Sequence, residues 1–218
     1  MERIPEPEVM EDEEQAAAYA RADFSSSNQA SVDGLLEEGS RRLARVLDIG
    51  CGPADIAIRL ARAAPSIHVT AVDASEAMVR LARETVREAG LDEKITVAKG
   101  QIPGLHVPGG DFDAIVSKDL LHHLPDPMVF WEEVKRLGRP GTLVYAMDLF
   151  RPQTQEAARD IVQSVSGGEP EILQRDFYNS LLAAFTLEEI EDQLRSAGLA
   201  FKVDPVSERH MCIRGSFQ

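Results

Sequence analysis

The sequence predicts an α/β protein built on a doubly wound, mostly parallel sheet of the Rossmann-like kind, and three observations carry that expectation. Val46-Leu47-Asp48-Ile49-Gly50-Cys51-Gly52 is an apolar strand running into a glycine turn that opens a helix. Val69-Thr70-Ala71-Val72-Asp73 follows as a second strand ending in a carboxylate. From residue 45 to 148, β-branched or apolar segments alternate with amphipathic ones, the pattern of parallel strands joined by right-handed helical crossovers. In such a sheet a ligand binds in the crevice beyond the carboxyl ends of the strands.

Each element has its own local reason. The first eight residues hold Pro5 and Pro7 and little to bury, which predicts an extended arm. Ala- and Glu-rich Val9 to Ala22 favours a helix. Phe24-Ser25-Ser26-Ser27 breaks it, and Asn28 to Glu38 predicts a second helix ending at Gly39. Strands are expected at 45–49, 67–72, 94–98, 112–117 and 141–147. Helices are expected at 54–64, ending before Pro65; at 75–90, with Ser75 as N-cap and Gly90 as stop; and at 126–137, before Gly138. Beyond Asp148 the pattern changes. Residues 153–184 read as helical, interrupted at Gly167-Gly168-Glu169-Pro170. Thr186 and Glu189 have capping-box spacing for a further helix that Gly198 closes. Two short strands near 200–204 and 209–214, separated by Pro205 to Glu208, suggest a final hairpin. The expected organisation is a helical N-terminal lid (1–40), a ligand-binding core (41–150), a helical cap over the crevice (151–185), and a C-terminal helix and hairpin completing the core (186–218).

Composition narrows the class. At 218 residues the chain suits one α/β domain with a modest cap. No apolar run approaches the ~20 residues that span a bilayer. The acidic start lacks the basic-then-apolar pattern of a leader, so a cytoplasmic protein without membrane association is expected. Cys51 and Cys212 read as reduced thiols; Cys51 fills a tight turn or, at a helix N-terminus, is a reactive thiol. The net charge is −14, and residues 1–40 hold eleven Asp or Glu against two Arg. Such an acidic surface repels nucleic acid, so a small molecule is the expected partner. Monomer and homodimer stay open. No His, Cys or Asp cluster has metal-ligand spacing, so no metal is expected.

The charges around the glycine turn decide which nucleotide fits. A pyrophosphate needs a helix N-terminus clear of competing anions, and here Asp48 precedes the turn and Asp55 follows it. Two carboxylates oppose NAD and suit a ligand with cationic groups. S-adenosylmethionine (SAM), with its ammonium and sulfonium, is such a ligand.

Five motifs in order make the chain resemble the class I SAM-dependent methyltransferases over roughly 43–148 and more loosely beyond. They are Asp48 to Gly52, Asp73 after the second strand, Phe112 to Ser117, Leu121-His122-His123-Leu124-Pro125-Asp126-Pro127, and the turn from Arg136 to Leu143. The resemblance implies a seven-stranded sheet whose last strand inserts antiparallel, which fits the final hairpin. It also implies transfer of a methyl group from SAM to a small-molecule acceptor, leaving S-adenosylhomocysteine. Gly50, Cys51 and Gly52 would bring backbone to the amino-acid end of SAM, with Asp48 accepting from its ammonium and Asp73 from the ribose hydroxyls. Ala74 and Met78 would supply apolar contact. Gln101, followed by Ile102, stands where the family commonly has an acid for the adenine amino group; a side-chain carbonyl can accept the same bond. Pro53-Ala54 departs from a third family glycine. Ser117 and Lys118 would line the methionine portion, Lys118 pointing either outward or toward an acidic substrate group. Tyr19, Phe24 and Asn28 would close over the ligand from the N-terminal helices.

The acceptor end is read from chemistry alone. Candidate bases are His122 and His123, with Asp119 nearby; of the two histidines His122 is expected to face the crevice and His123 to pack. In the cap, Tyr178 would bond or deprotonate the acceptor and Arg175 would pair an acidic group; His210 enters the last strand near the same cleft. The alternatives are a SAM-binding protein without methyl transfer (a sensor or an enzyme on a modified SAM), a protein or RNA methyltransferase, and an NAD-dependent oxidoreductase.

Overall fold

The computed structural model describes residues 1–6, 19, 22–39, 43–107 and 110–218. Its strands are β1 (Arg45–Ile49), β2 (His68–Asp73), β3 (Ile95–Lys99), β4 (Ala114–Lys118), β5 (Leu143–Leu149), β6 (Lys202–Pro205) and β7 (His210–Ser216). They form one seven-stranded sheet in the order β3-β2-β1-β4-β5-β7-β6. β1 to β5 pair in parallel, and β7 runs antiparallel to both β5 and β6. The expected topology, antiparallel last strand included, is therefore the one observed. The strand order reverses between β1 and β4, which opens the crevice beyond Ile49 and Lys118.

The helices are α1 (Ser25–Glu38), α2 (Asp55–Ala63), α3 (Glu76–Glu88), α4 (Met128–Leu137), α5 (Gln155–Ser166), α6 (Glu171–Ala183) and α7 (Leu187–Ala197). Successive strand residues point to opposite faces, so each central strand feeds two cores. Val46, Val116 and Tyr145 pack with Val32, Leu35 and Leu60 from α1 and α2. Leu47, Ile115 and Val144 pack with Phe130, Trp131 and Ile190 from α4 and α7. Burial on both faces is why these strands read as continuous apolar runs rather than alternating ones.

Most expected boundaries fall within about two residues of those observed. The capping box of Thr186 and Glu189 is formed, and Gly198 ends α7 at φ 70°. One start differs: α1 begins at Ser25, not Asn28. The Ser25 amide donates to Asp23 Oδ1 at 2.9 Å and the Asn28 amide to the Phe24 carbonyl. The serines thus form the first turn, where short polar side chains sit well among unpaired N–H groups. The expected helix from Val9 to Ala22 lies outside the described residues apart from Tyr19 and Ala22.

Residues 1–6 are pinned as an extended arm. The Ile4 amide donates to the Leu182 carbonyl. Arg3 donates to the carbonyls of Ala183, His122 and Leu124 and stacks 4.0 Å over the Phe185 ring. This arm brings Glu6 to the sheet's crevice side, beside residues more than a hundred positions away.

Candidate active site

The crevice is built from the glycine turn upward. Gly50 and Gly52 take left-handed φ values of 75° and 50°, which lets the chain reverse at the end of β1 without a Cβ clash. The amides of Gly50 and Cys51 both donate to the Val72 carbonyl, at 2.8 and 3.0 Å. Asp73, the next residue, accepts from the Gly52 amide through Oδ2 at 2.8 Å and from the Ser75 amide through Oδ1 at 2.9 Å. Turn and carboxylate are thereby locked to each other.

Asp48 is 1% exposed, and among the described residues its Oδ2 has no hydrogen-bond partner. Burial, and then the neighbouring Asp73 charge, pushes its carboxyl up to about 7. A buried carboxylate without a partner is costly. Here it faces space: Asp48, Cys51, Asn28 and Asp55 line a cavity of about 240 Å³. A second cavity, of about 310 Å³, adjoins it and is lined by Asp73, Ala74, Met78, Gln101, Ile102, His122, His123 and His210, among others. Tyr19, Phe24, Gly50, Gly52, Lys118 and Asp119 border both, and the Tyr19 and Phe24 rings stack 4.7 Å apart. Asn28 spends its amide on Asp55 Oδ2 at 2.7 Å.

Several assignments change. Ser117 is buried and lines neither cavity; its hydroxyl donates to the Ile49 carbonyl at 2.9 Å and braces β4 against β1. On α6, Leu173, Asp176, Phe177 and Ser180 line the larger cavity, the one-face spacing of a helix. Arg175 and Tyr178 fall outside that stripe. Arg175 is exposed and pairs with Asp176, and the Tyr178 hydroxyl lies 3.5 Å from Gln155 under Arg159. Lys118 points inward and pairs with Asp119. Burial raises the Asp119 carboxyl, but Lys118, then His210 and His122, overcome it and hold it down at about 2. So acidic a group is a poor general base. His210, with Nε2 3.7 Å from Asp119, is lowered to about 4 by burial and is a neutral ring near pH 7. Cys51 is buried, and burial followed by Asp48 and Asp73 raises its thiol well above the ordinary value, the opposite of a reactive cysteine.

The far end of the larger cavity centres on the turn Leu121–His123. His122 is buried, and its Nδ1 lies 2.6 Å from Asp148 Oδ1, while Asp148 Oδ2 accepts from the Leu121 amide at 2.7 Å. Burial lowers His122, and Asp148 outweighs it, leaving the imidazole raised. His123 tilts against it with ring centroids 4.2 Å apart and also lines the cavity, so it is not confined to packing. Glu6 Oε1 stands 3.5 Å from His122 Nε2 and 3.2 Å from His123 Nδ1, and accepts from Ser180 Oγ at 3.1 Å. Neither Glu6 nor Asp148 was singled out by sequence. Asp148 had a signal, a lone acid inside the apolar run Leu143–Leu149; Glu6 had none.

The Asp48 carboxyl fits a cationic amino-acid group, since a positive charge beside it would favour its ionised form and give Oδ2 a partner. Asp73, fixed at the end of β2, fits a vicinal diol. Comparisons agree. Residues 46–141 match the family model described as a methyltransferase domain. The 27-O-demethylrifamycin SV methyltransferase of Amycolatopsis mediterranei is 30% identical over 158 residues, covering 71% of this chain and 53% of that protein. A demethylmenaquinone methyltransferase of Listeria welshimeri is 35% identical over 108 residues, 49% of this chain and 45% of that protein. This chain therefore spans about half the length of these relatives. A SAM-dependent methyltransferase from Aquifex aeolicus shares the fold with a TM-score of 0.70 at 22% identity, over 92% of this chain and 96% of that one. Residues 46–141 therefore belong to the methyltransferase-domain family, and the sheet around them has the fold of a SAM-dependent methyltransferase.

Proposed function

We propose that the protein transfers a methyl group from SAM to a small organic acceptor. The observation that carries this reading is the pair of strand-end carboxylates, Asp73 fixed by two backbone amides and Asp48 buried with a partnerless oxygen at a cavity. Asp48 would hold the ammonium of SAM and Asp73 its ribose, with Met78 and Ile102 flanking the adenine and Gln101 accepting from its amino group. Tyr19 and Phe24 would close over it. When bound, SAM supplies an electrophilic methyl on a sulfonium: its C–S bond breaks as the bond to the acceptor atom forms, and the acceptor's proton, where it has one, leaves. The chain's contribution is to align the two partners and exclude water.

The acceptor would enter the larger cavity. Its walls at Leu120, Leu124, Leu149, Leu173 and Phe177 are apolar, and His122, His123 and Ser180 supply the polar end. The relatives named for 27-O-demethylrifamycin SV and demethylmenaquinone favour a small organic acceptor with an apolar body. The test is calorimetric titration with SAM and S-adenosylhomocysteine, with NADH as control ligand, followed by a screen for S-adenosylhomocysteine formation over hydroxylated aromatic and polyketide-like acceptors. Micromolar binding of both sulfur ligands with no NADH binding supports the reading; a protein that binds neither sulfur ligand refutes it.

A further inference from the structure

Glu6, His122 and His123 meet at one point although the first is more than a hundred residues from the others. His122 Nδ1 faces the Asp148 carboxylate at 2.6 Å and donates its proton there. Its Nε2 looks at a carboxylate oxygen of Glu6 3.5 Å away. An imidazole nitrogen and a carboxylate oxygen facing one another call for something positive between them, a proton or a cation. The same Glu6 oxygen meets His123 Nδ1 at 3.2 Å. A proton is one answer, but charge-assisted N–H···O bonds close to about 2.7–2.9 Å, and both contacts are longer.

The separations suit a metal ion better. Ligand atoms ~2.0–2.1 Å from a tetrahedral zinc-sized ion stand about 3.4 Å apart along each edge, which the two measured contacts bracket. All three ligand atoms lie within 4.8 Å of one another. The surroundings are those of a built site: a metal-binding histidine characteristically gives its other nitrogen to a carboxylate, and a ligating carboxylate is itself hydrogen-bonded. Asp148 and the Ser180 hydroxyl occupy those places. Asp148 is fixed in turn by the Leu121 amide.

We infer that Glu6, His122 and His123 bind a divalent ion of the zinc class at the acceptor end of the cavity. His122, His123 and Ser180 all border the cavity, so the ion's fourth position opens toward it and takes an oxygen of the acceptor. That last step rests on the proposed methyl transfer. It narrows the acceptor class to molecules that offer a hydroxyl, enol or phenol oxygen. The N-terminal arm thereby becomes part of the site, because Glu6 is its third ligand and Arg3 ties the arm to the carbonyl of His122 itself.

The experiment is a titration of the chelator-treated full chain with Co²⁺, read by visible absorption, and with Zn²⁺, read by calorimetry. One equivalent should bind, with the intense ligand-field bands of four-coordinate cobalt. Glu6→Gln and His123→Gln, both at partly exposed positions, should each weaken binding at least tenfold. Asp148→Asn should weaken it by about 10–100-fold. Binding of SAM to Glu6→Gln should be unchanged, so a failed metal site and a failed cofactor site give different results. Absence of a stoichiometric cobalt complex, or affinity equal in the wild type and all three variants, overturns the inference and leaves the trio a hydrogen-bonded brace.

Discussion

The two ends of the crevice are built in opposite ways. The proposed cofactor end comes from neighbouring strand ends, between Asp48 and Asp119, and its key groups are set by backbone: positive-φ glycines, two amides on Asp73, a shared carbonyl at Val72. Among the described residues Asp48 Oδ2 there has no hydrogen-bond partner. The proposed acceptor end is assembled from the N-terminal arm, the turn after β4, the end of β5 and α6, and its charges answer one another. Backbone-built sites fix a ligand shared by many proteins, whereas side-chain-built ones can change partner by partner. Substitutions should therefore act on one end without the other.

The largest effect belongs to Asp73→Ala. In the proposed binding mode it removes the acceptor for two ribose hydroxyls, each hydrogen bond to a charged group contributing about 1.5–3 kcal/mol, and it releases the Gly52 amide that shapes the turn. SAM affinity should fall at least ~100-fold, measured by calorimetry. A loss below about fivefold would place the ribose elsewhere.

Asp48 gives the next largest effect, through pH. Its carboxyl ordinarily ionises near 3.8 and is raised to about 7 in the fold. Native protein therefore holds a proton that unfolded chain releases. The stabilisation is full below the ordinary value and is lost as pH rises through about 7. Ammonium binding needs the ionised form, so SAM affinity should rise about tenfold between pH 6 and pH 8, with a proton released on binding at pH 6. Asp48→Asn should flatten that rise and, in the ligand-free protein, lift the melting temperature at pH 8 but not at pH 4. A rise of the same size in the variant would assign the titration to another group.

A paired comparison separates the ends more finely. Phe24→Ala removes a ring that stacks on Tyr19 and borders both cavities; at ~0.5–1.5 kcal/mol for an aromatic pair, SAM should bind about 2–12-fold more weakly. Arg3→Ala unpins the arm from three carbonyls and should lower the melting temperature while leaving SAM affinity alone. If Arg3→Ala weakened SAM as much as Phe24→Ala, the two ends would be one mechanical unit.

The same division explains what could be read in advance. Asp48, Gly50, Gly52 and Asp73 sit in short motifs whose turn chemistry and strand ends are local, so periodicity and glycine placement expose them. The parallel core of the sheet follows from the same alternation, while the antiparallel last strand is what the family resemblance implies. Arg175 and Tyr178 lie off the cavity because composition marks the segment only as polar and aromatic, while the helical phase of α6 decides which residues face the cavity. Ser117 was misjudged for a similar reason: at the end of a strand one side chain meets the crevice and the next meets the neighbouring strand. Glu6 lay beyond sequence reasoning altogether, since its contacts depend on where an extended arm docks, and nothing in residues 1–8 encodes that by spacing.

The smallest effect tests the one place where the glycine turn departs from pure glycine logic. Ala54 precedes α2 at φ 69°, a left-handed conformation that costs a residue with a Cβ about 1–2 kcal/mol. Ala54→Gly relieves that strain. It also removes a fully buried methyl, worth about 0.8 kcal/mol, and it frees the unfolded chain by about 0.4–1 kcal/mol. The terms nearly cancel, so the melting temperature should move by less than about 4 °C. SAM affinity should not change, because Ala54 borders neither cavity. A clear gain in stability would mean the surrounding turn holds Ala54 against its preference more strongly than these magnitudes allow, and that tension would then be available to the cofactor end when a ligand fills it. A clear loss would instead give the buried methyl a packing role between α2 and the sheet that outweighs the backbone, making alanine the fitting residue at this position rather than a tolerated one.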